Sequence, residues 1–275
     1  DTDMNELISA MVGRSLDNRF PPVDNEPGEK ILSVQNLSSK YAPKIQNVSF
    51  DIRKGEIFGF YGLVGAGRTE VCQTIYGIMH PDSGEIRLEG KKVDIKSPID
   101  ALNLGIGLLP ENRQTQGLVN ELPIYQNVSS ASMKQFVKSG QMDVDKEMEN
   151  AIALCKKIQL KANDITAPPS SLSGGNQQKV VVAKMLSSDQ KVLIMDEPTK
   201  GIDVGAKYSI YEIMNSLACK GYGIIMVSSE MPEVLGVADR VVVMKSGRVT
   251  GEFGDMETVT QETVSYTHLR AHETC

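Results

Sequence analysis

Tryptophan is absent from this 275-residue chain, and histidine occurs only three times. So little imidazole excludes a His-rich metal centre. The four cysteines, Cys72, Cys155, Cys219 and Cys275, are scattered without a C-x-x-C pair. That spacing argues against a zinc site or a disulfide framework and points to a reduced, cytosolic setting. No apolar run reaches the ~20 residues needed to cross a bilayer, and the opening DTDMNELISA lacks the layout of a secretory leader. Any membrane contact is therefore expected through a partner. Positive charge is also scarce: 29 basic residues stand against 35 acidic ones, a net charge of −6, with no basic cluster. Nothing here would neutralise a row of phosphates, so nucleic acid is not an expected partner. What is present is apolar content, at 40% enough to bury a globular core.

Along the chain, Met4, Leu7, Ile8, Met11 and Val12 recur at helical spacing, and the Pro-rich stretch from Phe20 to Glu29 breaks the pattern. This reads as a helix ending one domain, followed by a linker. From Ile31 the pattern becomes short strands: ILSVQNL, the alternating IQNVSFDI, a turn at Lys54 and Gly55, and the buried run EIFGFYG. A strand pair, EIRLEGKKV, follows, and then a helix-leaning stretch from about Asp143 to Leu160. The buried strands KVLIMD and GIIMVSS flank the helical GAKYSIYEIMNSLACKG, and RVVVMKSGRVTGEF closes with a hairpin. Buried strands alternating with helices predict an α/β core with a mostly parallel sheet.

Three motifs carry chemistry. Gly62 to Thr69, GLVGAGRT, fits the phosphate-loop pattern G-x-x-x-x-G-K-[ST] except that Arg68 replaces Lys. Glycines turn backbone N–H groups toward phosphates, the next helix adds its dipole, and Thr69 offers a hydroxyl to Mg²⁺. A planar guanidinium is bulkier than an ammonium and is expected to make contacts from outside a tight cradle. Asp196 and Glu197 follow the apolar VLIM, so a strand end delivers two carboxylates to the sheet edge. Such endings also arise for purely structural reasons, but a phosphate loop first and Asp-Glu later suits Asp196 to the Mg²⁺ shell and Glu197 to general base work. Third, LSGGNQ at Leu172 to Gln177 opens a helix-compatible run and precedes DEPT by about 20 residues. Ser173, Gly174 and Gly175 would make a second anion site at a helix N-terminus. Two phosphate binders in one domain suggest nucleotides shared between two domains.

Together these motifs resemble the ATP-binding cassette family over roughly residues 31–254. The resemblance implies a P-loop cassette fold: a mixed, mostly parallel sheet, an N-terminal antiparallel β subdomain and a helical signature subdomain over about 112–180. It implies ATP and Mg²⁺ as ligands, with Gly62, Gly65, Ala66, Gly67, Arg68, Thr69 and Glu70 at the phosphates. Ser173, Gly174, Gly175 and Asn176 would serve a facing cassette. Asp203 sits in TKGID, which looks like the family's D-loop, and Tyr41 is placed to stack on adenine or simply to pack. Two departures join Arg68: Glu111 in LLPENRQTQGL where the family has Gln, and Ser229 in VSSEMPE where it has a switch His. A serine hydroxyl cannot carry the cation that grips a γ-phosphate.

GLVGAGRTE, PENR, LSGGNQQK and SSEMPE further resemble the C-terminal cassette of ribose-, galactose- and xylose-type importer ATPases, in which two cassettes are fused. By that resemblance residues 1–20 are the tail of a first cassette, 21–30 a linker and 31–254 this cassette. Its expected partners are the first cassette, membrane permease subunits and, through them, a periplasmic or extracellular sugar-binding protein. Its expected place is the cytoplasmic face of the bacterial plasma membrane. Its signature would complete the partner's site while its own site is degenerate; tolerance of Arg68 with turnover at both sites, a catalytically silent regulatory cassette and a soluble, non-transport ATPase are the alternatives. Finally, VSYTHLRAHET, within 264–275, fits no family pattern. His268 and His272 stand four apart, yet no Glu follows His268 as in a zinc-protease motif. Its back-translation resembles a transposon-end adapter, so a translated sequencing scar is expected there.

Overall fold

The computed structural model describes residues 20–264, except 23, 41–43, 255, 257 and 258. Strands β1 (Lys30–Ser39) and β2 (Ile45–Arg53) pair antiparallel. Along β2, Ile45, Val48, Phe50 and Ile52 are buried while intervening polar residues reach solvent, the mark of a strand with one face on a core. After the Lys54-Gly55 turn comes β3 (Ile57–Tyr61), buried at every position as a central strand must be. It feeds the glycine loop and helix α1 (Arg68–Ile75). The hairpin β4 (Ser83–Leu88) and β5 (Lys91–Val93) turns on Glu89 and Gly90, both at positive φ as a two-residue turn requires. These strands complete an antiparallel sheet in the order β2-β1-β4-β5.

Two short elements were not expected from patterning: α2 (Pro98–Leu104), capped by Ser97, and β6 (Ile106–Leu109). Beyond them lie a π-helical turn at Arg113–Gly117, α3 (Ile124–Ser129), the short strands β7 (Val137–Lys138) and β8 (Gln141–Met142), α4 (Val144–Lys157) and α5 (Gly174–Leu186). α4 starts at Asp143, which accepts from the Lys146 amide, and has acids in its first turn and lysines in its last, as the helix dipole favours. Ile124 and Val128 of α3, Ala151 and Leu154 of α4, and Val181 and Met185 of α5 share one apolar cluster.

The chain then alternates β9 (Val192–Asp196), α6 (Val204–Ala218), β10 (Gly223–Ser228) and α7 (Met231–Val237) before the hairpin β11 (Arg240–Lys245) and β12 (Arg248–Phe253). The second sheet runs β12-β11-β3-β10-β9-β6. Every neighbouring pair is parallel except β11 with β12. Ile224 and Met226 of β10 face one core while Ile225 and Val227 face another, so this sheet is covered on both sides. On the second side the antiparallel sheet packs over it, Phe50 stacking on Phe58 at 5.5 Å and meeting Phe60 edge-on at 4.9 Å. The fold is the P-loop cassette architecture anticipated from the motifs.

The Pro-rich stretch before β1 lies on the domain rather than swinging free. The Phe20 ring sits 5.4 Å from Tyr211, Asn215 donates to the Pro22 carbonyl at 2.8 Å, and Asn25 donates to Asp239 at 2.7 Å. At the other end Val264 is buried in the larger core. The helix expected over residues 4–14, Tyr41, and residues 265–275 with His268 and His272 lie outside the described residues. Among the described residues, no helix is long and apolar enough to cross a membrane.

Candidate functional site

β3, β9 and β10 are neighbours, and their C-terminal ends deliver the glycine loop, Asp196-Glu197 and Ser228-Ser229 to one edge of the sheet. This is where open parallel sheets bind ligands. Within the loop, Gly65 and Gly67 have φ of +82° and +96°, values an L side chain rarely adopts. A Cβ on Gly62 would lie 2.5 Å from the Met244 carbonyl, so only glycine lets the loop press against β11. The turn is closed by the Ala66 amide on Leu63 O at 3.0 Å and anchored by the Gly247 amide on Ala66 O at 2.8 Å. Leu63 and Val64 stand exposed at its tip. Gly67 caps α1, and Glu70 lies half-buried in the first turn.

Five expected residues meet at this edge: Arg68, Thr69, Asp196, Glu197 and Ser229. Thr69 hydrogen-bonds Asp196, whose carboxyl is pushed up to about 6, first by burial and then by the charges of Glu111 and Glu197, against the opposing Thr69 bond. Asp196 Oδ1 is buried without a hydrogen-bond partner among the described residues. A buried carboxylate oxygen with an adjoining hydroxyl suits a hard divalent cation that takes its remaining ligands from water and phosphate. No group of three or more His, Cys, Asp or Glu residues that could cage a metal occurs among the described residues.

Arg68 departs from expectation. Its guanidinium is buried, only 7% exposed, with Nη2 3.5 Å from Glu197 Oε1. Glu197 is itself held at φ +48°, a sparsely populated backbone region for a non-glycine residue. Burial raises the Glu197 pKa, opposed by a hydroxyl bond from Ser229, the Arg68 charge and the Ser229 backbone. Ser229, at the expected switch position, therefore lies near enough to the candidate base to hold its pKa down. Glu111 pairs with Lys200 at 2.5 Å at the rim of a cleft of about 380 Å³ that Thr69 and Asp196 also line.

The signature residues make their contacts elsewhere. Ser173 precedes α5 in the N-cap position without a side-chain bond to the helix amides, and its exposed hydroxyl accepts from Asn176 Nδ2 at 3.1 Å. Asn176 Oδ1 accepts from the Lys161 amide at 3.0 Å. A Cβ on Gly175 would fall 2.4 Å from that of Ala206, so glycine sets how closely α5 approaches α6. Asp203 caps α6, accepting from the Ala206 amide at 2.9 Å.

Two groups escaped sequence reasoning. Glu233, 3% exposed, accepts from Thr199 at 2.7 Å, Ser228 at 3.0 Å and Lys207 at 2.7 Å, fixing the strand ends behind the site. Arg113 donates to the Lys200 and Gly201 carbonyls at 2.8 and 3.1 Å. PENR contains Arg113, but nothing local signals a partner so far along the chain.

Residues 45–200 match the family model described as ABC transporter. The chain is similar to the ribose import ATP-binding protein RbsA of Oceanobacillus iheyensis, 43% identical over 97% of this chain and 53% of that protein. It is 45% identical to the galactose/methyl galactoside import ATP-binding protein MglA of Treponema denticola and 44% identical to the xylose import ATP-binding protein XylG of Moorella thermoacetica, each over 96% of this chain and 53% of the relative. The chain thus spans about half the length of the curated relatives it matches. Among solved structures it is similar to a nucleotide-free ATP-binding cassette from an ABC transporter, with a TM-score of 0.73 at 22% identity, covering 86% of this chain and 96% of that one. cbiO1 from Clostridium perfringens matches with a TM-score of 0.70 at 26% identity over 89% of this chain and all of that one.

Proposed function

Because this chain belongs to the ABC transporter family of ATP-binding domains, we propose that it is the second cassette of a fused, two-cassette ATPase that drives monosaccharide import. Its similarity to ribose, galactose and xylose import proteins, each about twice its length, supports that reading. Such a motor works at the cytoplasmic face of the membrane, docked on permease subunits that receive sugar from a periplasmic or extracellular binding protein. Substrate choice lies with those partners, and ribose, galactose and xylose are the sugars of its relatives.

In this reading the loop amides of Gly62–Thr69 hold the ATP phosphates, with Gly65 exposed, Ala66 and Gly67 buried beside it, and Glu70 in the first turn of the helix that follows. Thr69 and Asp196 would hold Mg²⁺, which when bound neutralises phosphate charge. Glu197 is the general base in waiting. Its carboxylate must be free to accept a proton from water, yet Arg68 and Ser229 both engage it. Ser229 brings no cation to the γ-phosphate, and Glu111 adds negative charge where the family has an amide. The single observation that carries the reading of an impaired own site is the buried contact between Arg68 and Glu197. The signature, by contrast, is intact, and the exposed Ser173 hydroxyl is not used to cap its own helix. Ser173 to Asn176 and Asp203 are assigned to the facing cassette's nucleotide.

The test is ATP turnover by the intact two-cassette protein carrying Glu197→Gln. Loss of a minor share of turnover is expected, the share this cassette contributes. Unchanged turnover favours a second reading, a silent cassette that only regulates its partner, which the Arg68 contact also supports. Loss of nearly all turnover would contradict both.

A further inference from the structure

Asn112 caps the π-helical turn that follows Glu111, its side chain accepting from the Gln114 and Thr115 amides at 3.2 Å each. This sets the direction in which Arg113 leaves the backbone. Its guanidinium then spreads over three acceptors: Nη1 to Lys200 O at 2.8 Å, Nη2 to Gly201 O at 3.1 Å, and Nε to Gln177 Oε1 at 3.4 Å. Two of these belong to the turn after Asp196-Glu197 and the third to α5, just behind the signature. Gln177 in turn donates to Pro169 O at 3.2 Å and Leu172 O at 3.3 Å, holding the segment that leads into Ser173. A Cβ at Gly174 would lie 2.9 Å from Arg113 Nη2, so the signature glycine leaves the space this guanidinium occupies. No carboxylate pairs with Arg113 among the described residues. The charge is met by backbone carbonyls and an amide, an arrangement that uses the planar fork for geometry. A second strut, Lys200 to Glu111 at 2.5 Å, runs from the same turn to the cleft rim.

We propose that Arg113 is a positioning residue that locks the 199–203 turn to the signature helix, so that events at this cassette's own cleft set the pose of Ser173 offered to the partner. The inference rests on the reading that the signature serves a facing cassette. Lysine cannot substitute, because one ammonium cannot reach two carbonyls and Gln177 in the same plane.

Two measurements test it. In this chain alone, Arg113→Ala is expected to speed amide hydrogen exchange within 199–206 and 172–178 relative to wild type, with Tm nearly unchanged; this readout is independent of any partner. In the intact two-cassette protein, Arg113→Ala and Arg113→Lys should both lower kcat about tenfold with KM for ATP nearly constant, the pattern of lost positioning. Wild-type turnover in Arg113→Ala would overturn the proposal, as would a loss of turnover that tracks a fall in Tm or a rise in KM. Unchanged exchange in both segments would overturn it too. Ser173→Arg serves as control: if it leaves turnover intact, the reading of a shared signature fails, while the exchange experiment still decides whether Arg113 locks the turn.

Discussion

At the scale of single residues, electrostatics decides what this edge of the sheet can do. Arg68 carries a delocalised charge on a planar fork, buried 3.5 Å from Glu197, the candidate general base. Arg68, Glu111 and Ser229 were legible as departures from a motif because each occupies a fixed offset within one. Where Arg68 points was not legible, since that depends on Glu197 arriving from a strand far along the chain. Arg113 was invisible for the same reason: its carbonyl acceptors lie 87 and 88 residues away. A different lysine gives a pH signature. Burial lowers the Lys184 pKa from 10.5 to about 8 while its ammonium donates to the Gly117 carbonyl. Between pH 8 and 10.5 the unfolded chain therefore binds more protons at this position, and stability rises with pH. Denaturant unfolding of wild type against Lys184→Met should show the difference shifting in favour of wild type across that window and flat below it. A parallel pair of pH profiles would contradict the buried charge.

Among elements, contact distance matters more than charge. α5 and α6 approach so closely at Gly175 that an added methyl would fall 2.4 Å from the Ala206 Cβ. Gly175→Ala is expected to cost about 1–3 kcal/mol of stability through overpacking, with Ala206→Gly in the same chain recovering most of the loss by urea unfolding. Failure of the second change to rescue the first would place the strain elsewhere. β3, β9 and β10 were readable as unbroken apolar runs because strands buried on both faces lose their alternation. α2 and β6 were not, having seven and four residues, too few for a period to show. The Pro-rich stretch read as a linker for sound compositional reasons, yet Phe20 packs on Tyr211, a contact that composition cannot reveal.

For the whole molecule, one sheet separates two cores and carries the phosphate loop, Asp196-Glu197 and Ser229 on a single edge. The signature at the start of α5 lies against Arg113, Gly201 and Ala206 of α6, and Asn176 accepts from the Lys161 amide. Order along the sequence was enough to foresee the fold and to single out both motifs as candidate anion sites. It was not enough to show that Arg113 links the signature to the turn after Glu197, because that link exists only once β9 and α5 are packed. In the proposed reading the cassette presents one altered site and one intact signature, and the central claim is that they belong to different nucleotides. The direct test is steady-state ATP hydrolysis by the intact two-cassette protein with Ser173→Arg compared with Arg68→Ala in matched preparations. Abolished turnover in the first with most of it retained in the second is the expected result; equal losses in both would mean that the altered site is catalytic and the central claim wrong.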